Sequence, residues 1–331
     1  MKKLLLSLII LQAVSVISAY AAQVLPSLAT VNEWEIKWGG RPRDPFVAPD
    51  GKVWFCGQAG NYVARLDPKS GELTRFNVPK NSNPHNLVID KRGMVWYAGN
   101  KNAHIGRISP TTGNIKKYLM PKEITDPHTL VFDQQNNIWF TAQHSNAIAM
   151  LDTSTSQVRF VTANQKRSRP YGIAIDSQNR PWSVLVGTNK IAMVDPKTFE
   201  LTEIVLPHKN SRPRRLVITK DDTIWYVDFS RSYLGHYDPK TRNFNEWEMP
   251  SYKASNPYGM ALDSNGRLWV AETGQYPNNI VVFDTIQQKF ISSTQVTSGG
   301  SIRHMYYDSK RNRVWFGVDT GYISNISMAV K

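Results

Sequence analysis

Ser82–Pro121, SNPHNLVIDKRGMVWYAGNKNAHIGRISPTTGNIKKYLMP, reads as four short strands separated by turns. Asn86–Asp90 is a short apolar run, and Lys91-Arg92-Gly93 turns the chain into a second run, Met94–Ala98, which carries Trp96. A polar loop, Gly99–Asn102, leads to His104–Ile108, and Ser109-Pro110-Thr111-Thr112-Gly113 is a tight turn. There proline presets φ and glycine accepts positive φ. Asn114–Leu119 closes the unit. Four runs of four to six residues between Gly/Pro/Asn/Asp clusters describe one small antiparallel sheet.

One such sheet cannot bury both faces, so copies of it are expected elsewhere in the chain. The tryptophan at position 96 recurs as Trp54, Trp139, Trp182, Trp225, Trp269 and Trp315, at steps of 42 to 46 residues. Seven copies at that period predict an all-β, seven-bladed β-propeller of four-stranded blades. A solenoid is the rival, and the chain ends argue against it. The last unit reaches a third strand at Tyr322–Ser327, while Val31–Ile36 near the start matches the fourth strand of unit five, Phe244–Met249. The N-terminal strand is therefore expected to complete the last blade and close the ring.

Met1–Ala21 has the form of a secretory signal: Lys2 and Lys3, an apolar Leu4–Val16, then Ala19-Tyr20-Ala21 as the cleavage site. Residues 22–331 would then form a single propeller domain, periplasmic or secreted, with no transmembrane segment after cleavage. The one cysteine, Cys56, cannot form an internal disulfide and reads as a small buried hydrophobe.

The formal charge of +14 falls by the two charges of Lys2 and Lys3 to +12. An exported chain does not meet nucleic acid, so this basicity points to an anionic ligand or the cell envelope. The cations gather in the linkers before first strands: Arg41 and Arg43, Lys166, Arg167 and Arg169, Lys209 with Arg212, Arg214 and Arg215, and Arg303. The expected partner is a small molecule at the channel mouth, anionic in character, bound by a monomer.

Strands alternate in direction within a blade, so the start of the first strand and the end of the second lie on one face. The first set offers Phe46, His85, His128, Tyr171, Arg214, Tyr258 and His304. The second offers Gln58, Asn100, Gln143, Asp228, Glu272 and Asp319, with Val186 apolar in unit four. His104, His208 and His236 lie away from the mouth and read as surface residues. Asp67-Pro68, Asp195-Pro196 and Asp238-Pro239 read as self-capped turns. Asp263-Ser264-Asn265-Gly266 reads as a hairpin, because the spacing of a calcium loop is absent.

The repeat wording P-[HY]-x-[ILM]…[LIV]-W-[FYV]…[HN]-[KI]-I-[GA]-[RM], clearest in Asn102–Ile108, resembles the virginiamycin B lyase, or streptogramin lyase, family over essentially the whole mature chain. The resemblance implies a propeller that linearises a cyclic depsipeptide by eliminating across its ester without water, using Mg²⁺. It implies a site of Pro-His in one blade, Glu-Pro-His in the next, and a glutamate shortly after that next blade's tryptophan. At the chain's end, His304 matches the second histidine and Asp319 the glutamate, but Tyr258 replaces the first histidine and Ile302-Arg303 replaces Glu-Pro. Rotated around the ring, Pro84-His85 and Asp126-Pro127-His128 keep the order, with Gln143 in place of the final carboxylate and His144 beside it.

Elimination needs a base for the proton α to a carbonyl, which suits a neutral histidine, and a cation for the developing enolate. His128 and His304 are thus the candidate catalytic bases, and His85, Asp126, Gln143 and Asp319 the candidate metal ligands. Tyr171, Arg214, Tyr258 and Glu272 are the candidate ligand contacts. Three functions remain open: a metal-assisted lyase opening a lactone or ester-linked ring, a lactone hydrolase on the same scaffold, and a non-catalytic propeller holding an anionic or glycan ligand.

Overall fold

The computed structural model describes residues 24–329, so the expected leader, Met1–Ala21, lies outside the described residues. Twenty-eight strands form seven four-stranded antiparallel sheets. Six of these sheets take their strands in chain order. The seventh runs Ile302–Asp308, Arg313–Val318, Tyr322–Met328 and then Ala29–Glu35. That last strand pairs antiparallel with Tyr322–Met328, Trp34 opposite Ile323 and Val31 opposite Ile326. The ring therefore closes as the repeat count predicted. Its only described helix is one 3₁₀ turn, Tyr252–Ala254.

Each blade's middle strands pack on both faces against neighbouring blades, so their residues are apolar without alternation. Val53–Gly57, Val95–Gly99 and Ile138–Ala142 are buried at every position. Outer strands face solvent on one side and alternate, as in Val158–Thr162. Cys56 is buried among these layers.

The marker tryptophans are pinned by a signal that the sequence reading passed over, an aspartate six residues earlier. Asp90, Asp133, Asp176 and Asp263 each accept the indole N–H of the following tryptophan, at 3.1, 3.2, 2.9 and 3.0 Å. The other carboxylate oxygen takes two backbone N–H groups of the intervening hairpin, for Asp176 those of Gln178 and Arg180. One side chain thus shapes the turn and sets the aromatic anchor. Asp263 belongs to this set, so its tetrapeptide is the expected hairpin. Asp67, Asp195 and Asp238 cap their turns through the N–H two residues on.

All seven first strands carry a register shift near their start: in six it directly follows the opening residue, as between Pro84 and Leu87 and between Ile302 and Met305, and in the first blade it falls one residue later, between Arg43 and Phe46. Proline has no N–H to donate and is tolerated at a strand's first position. The irregularity takes two residues out of the regular ladder, or in blade five Arg214 alone, and such bulges re-aim side chains. This device, repeated seven times, builds the mouth.

Candidate functional site

Matched through the register, the opening residues are Pro42, Pro84, Pro127, Pro170, Pro213, Pro257 and Ile302, each opposite the third residue after a marker tryptophan. The next position gives an upper layer of Arg43, His85, His128, Tyr171, Arg214, Tyr258 and Arg303. The one after gives a lower layer of Asp44, Asn86, Thr129, Gly172, Arg215, Gly259 and His304. Two expectations are corrected here. Phe46 is not a mouth residue: it lies further along its strand, packed on Tyr306 at 4.2 Å between ring centroids. His304 belongs to the lower layer, and Arg303 holds the position taken by His85 and His128 in their blades. Gly172 and Gly259 fit because a Cβ there would meet the next first strand, at 2.9 Å from Arg214 O and 3.0 Å from Ile302 O.

The upper layer is a chain of rings. His85 packs on His128 at 3.7 Å, and His128 on Tyr171 at 4.3 Å. The Tyr171 hydroxyl hydrogen-bonds that of Tyr258. Arg214 covers Phe229 at 3.8 Å and Tyr258 at 4.7 Å.

The lower layer is ionic. Arg43 Nε donates to Asp44 Oδ1 at 2.9 Å, and Asn86 Nδ2 donates to Asp44 Oδ2 at 2.9 Å. Arg215 crosses the channel from blade five, donating to Thr129 Oγ1 of blade three at 3.1 Å and to the Arg303 carbonyl of blade seven at 3.0 Å. Its Nη2 lies 3.8 Å from Asp44 Oδ2. Thr129 Oγ1, which accepts from Arg215, also hydrogen-bonds His128 Nδ1 at 2.9 Å and so fixes the orientation of that imidazole. Arg43, Arg215 and Asp44 are 5%, 4% and 1% exposed. Two buried guanidiniums thus share one carboxylate, and Nη2 of both arginines is buried without a hydrogen-bond partner. Nδ1 of His85 and of His304 is likewise unpartnered.

Burial and this charge excess together govern the titration of the mouth. Burial, then the nearby cations led by Arg43 for His85 and Arg215 for His128, holds both imidazoles neutral, well below the ordinary histidine value. Burial pushes His304 down to about 4, although Asp44 opposes it. Burial alone would raise the Asp44 carboxyl, but Arg43, His304 and Arg215 hold it below the carboxylate range. Burial raises the Tyr171 phenol, while Arg215, Arg214 and Arg43 overcome burial at Tyr258 and lower it.

The expected carboxylates do not join this cluster. Asp126 accepts the backbone N–H groups of His144 and Ser145 and the Ser145 hydroxyl, tying its linker to the end of the second strand beside Gln143. Asp319 takes the Ser301 N–H and the Arg303 guanidinium, and Asp228 the Arg212 N–H. Glu272, fully buried, binds the N–H and hydroxyl of Ser251. These groups sew each linker to a neighbouring turn. The amides do similar work, as Gln58 accepts from Arg43 and Asn100 donates to the Pro127 carbonyl. Arg212 stays in its linker, donating to the Lys209 carbonyl, so only Arg214 and Arg215 of that basic run reach the mouth. His104 is another correction: it is 1% exposed and hydrogen-bonded to Tyr97 Oη and Asn102 Oδ1. His208 is exposed beside Glu246, and His236 is partly buried against Trp225.

Mg²⁺, which the family resemblance implies, fits this donor set poorly. The ion prefers carboxylate oxygens and water in octahedral array. Among the described residues no group of three or more His, Cys, Asp or Glu is placed to hold a metal. Asp126 and Asp319 are committed to N–H donors, and the buried cations repel a second positive charge. Below the lower layer the channel opens into a cavity of about 530 Å³, bordered by Asn86, Thr129, Arg215 and His304. Of the residues at the centre of the cluster, Arg43 and Arg215 are among the linker cations expected on this face, whereas Asp44, Asn86 and Thr129 were not among the sequence-derived site residues. The signal for Asp44, Asn86 and Thr129 was the second residue after each opening proline.

The family model for the virginiamycin B lyase family matches residues 24–279. A solved streptogramin B lyase is 23% identical, with a TM-score of 0.82, covering 91% of this chain and 98% of its own. Virginiamycin B lyase from Staphylococcus aureus is 22% identical, with a TM-score of 0.82 and coverage of 91% and 100%. The extracellular domain of a hybrid two-component system, BT4673 from B. thetaiotaomicron, is 17% identical at a TM-score of 0.69, covering 89% of this chain and 42% of that one. No curated protein matches the chain. At these identities the solved structures speak for the fold, while the family model covers well over half of the sequence: the chain belongs to the virginiamycin B lyase family.

Proposed function

We propose that this protein is an exported propeller that binds a small anionic ligand at the mouth of its central channel. One observation carries the reading: Arg43 and Arg215 are buried around a single carboxylate, and each keeps an unpartnered Nη2. A buried cation without full pairing is costly, and an incoming anion would complete it. Arg214 and Arg303 reinforce the positive field, and Tyr171 and Tyr258 supply aromatic surface. Export rests on the leader-like Met1–Ala21. No described helix is long and apolar enough to cross a membrane.

Elimination across a lactone or ester-linked ring is the second reading. Family membership and the neutral His85–His128 pair favour it, with His128 as the base, oriented through Thr129. Hydrolysis of the same bond would incorporate solvent oxygen, whereas elimination would leave an alkene.

Calorimetric titration with acetate and inorganic phosphate tests the binding reading. We expect saturable binding at about millimolar concentration or tighter, weakened about tenfold or more in Arg43→Met, since a hydrogen bond to a charged group is worth about 1.5–3 kcal/mol. Heat flat for both anions, in a protein that melts cooperatively, would overturn it.

A further inference from the structure

The cavity beneath the mouth has two chemically distinct parts. Its upper border is polar, made by Asn86, Thr129, Arg215 and His304. Its walls are the remaining lengths of the first strands, with Val131, Ile175, Val217 and Leu262 among the lining side chains. Arg215 is the hinge between the two parts. It lines the cavity, is 4% exposed, and its Nη2 has no hydrogen-bond partner. His304 also lines the cavity with Nδ1 unpartnered. A volume of about 530 Å³ lies within the range of small-molecule sites, which are apolar concavities with a few convergent polar groups.

We propose that this cavity takes an amphipathic carboxylate, with its head group at the Arg215–His304 border and an aliphatic tail along the apolar channel walls. The inference rests on the anion-binding reading and adds the ligand's chemical class and direction of entry. A small hydrophilic anion would complete Arg215 but leave the apolar walls facing water. An aliphatic tail covers those walls, and the first strands give it length: six residues span about 20 Å at about 3.3 Å each. Arg215 Nη2 and a His304 N–H can both donate to carboxylate oxygens, and Asn86 and Thr129 keep that border polar.

The test is a titration of the purified full chain with acetate, hexanoate, octanoate and decanoate. Affinity is expected to rise with chain length, by up to about fourfold per added methylene where the methylene is fully buried. Ala174, which lines the channel and is only partly buried, offers a plug: Ala174→Phe should abolish the dependence on length while leaving acetate binding in place. Should that variant fail to fold, Val131→Phe serves the same purpose. Equal affinity for acetate and decanoate would overturn the inference and leave the anion-binding reading standing. Absence of binding by all four acids would overturn the inference, and with inorganic phosphate silent as well it would overturn both. A length dependence that persists in the plugged variant would place the tail outside the channel and also overturn the inference.

Discussion

Asp44 accepts from Arg43 and Asn86 while Arg215 lies 3.8 Å away, so one carboxylate stabilises two buried cations and positions a third side chain. Asp44→Asn should therefore destabilise the fold by about 3–5 kcal/mol, the usual cost of stranding a buried charge, read from urea unfolding. Added phosphate should restore part of the loss if the vacated place accepts an anion; unchanged unfolding would mean that the guanidiniums are solvated. The histidines make a second prediction. His85, His128, His304 and His104 all sit below their ordinary value in the folded chain. The unfolded chain then binds more protons once pH drops below about 6.5. Stability is complete above that pH and is lost on descending towards about 4, the value for His304 and His104. Asp44, held below the carboxylate range in the folded chain, adds its own loss only below about pH 5, where the unfolded carboxyl begins to protonate. Melting temperature should fall steadily between pH 7 and about 4.5; a flat profile would show that these imidazoles charge freely. At this scale the sequence was only half legible. His85, His128, Tyr171, Arg214 and Tyr258 were visible as residues following proline. Arg215 was visible as one of the linker cations, but Asp44 was not, because a side chain two places on from a proline is placed by the bulge, which no periodicity announces.

Strand positions were readable almost to the residue where hydrophobic runs set them: His104–Ile108 was expected and observed, and Met94–Ala98 became Val95–Gly99. The first strand was expected from Asn86 and begins at Pro84. Proline reads as a turn residue, yet at a strand's opening its missing N–H costs nothing to the ladder. Phe46 was taken for a mouth residue because it follows a second proline, Pro45, three residues past the opening Pro42, and His304 was placed in the wrong layer because Ile302 stands where the other blades open on proline. The closing strand belongs to this scale as well. Trp34 stacks on Trp315 at 5.4 Å, and Ile36 is 2% exposed. Deleting Val31–Ile36 would bare the edge of Tyr322–Met328, a template for pairing with other chains. The truncated protein should melt markedly lower and form aggregates detectable by light scattering. Unchanged melting and a monodisperse sample would remove the clasp's role in closing the ring.

At the scale of the whole ring, seven such irregularities place twelve side chains and two glycines around one axis, and the composition of those positions decides what the mouth attracts. Family membership brings an expectation of Mg²⁺, whereas this ring sets Arg43, Arg214, Arg215 and Arg303 against Asp44 and Asp319, the latter already paired with Arg303 at 2.7 Å. A divalent cation entering there would meet guanidiniums at short range in a medium that screens poorly, where like charges repel by several kcal/mol. It would also have to displace the N–H donors from Asp126 and Asp319. Mg²⁺ at millimolar concentration should therefore leave the melting temperature unchanged, and so should chelation by EDTA. Phosphate should raise it, because a ligand that binds only the folded state at a hundredfold excess over its Kd adds about 2.7 kcal/mol. The two titrations separate the readings. A stabilisation by Mg²⁺ that EDTA reverses, with no response to phosphate, would restore the metal-assisted lyase and show that the mouth rearranges to present its carboxylates.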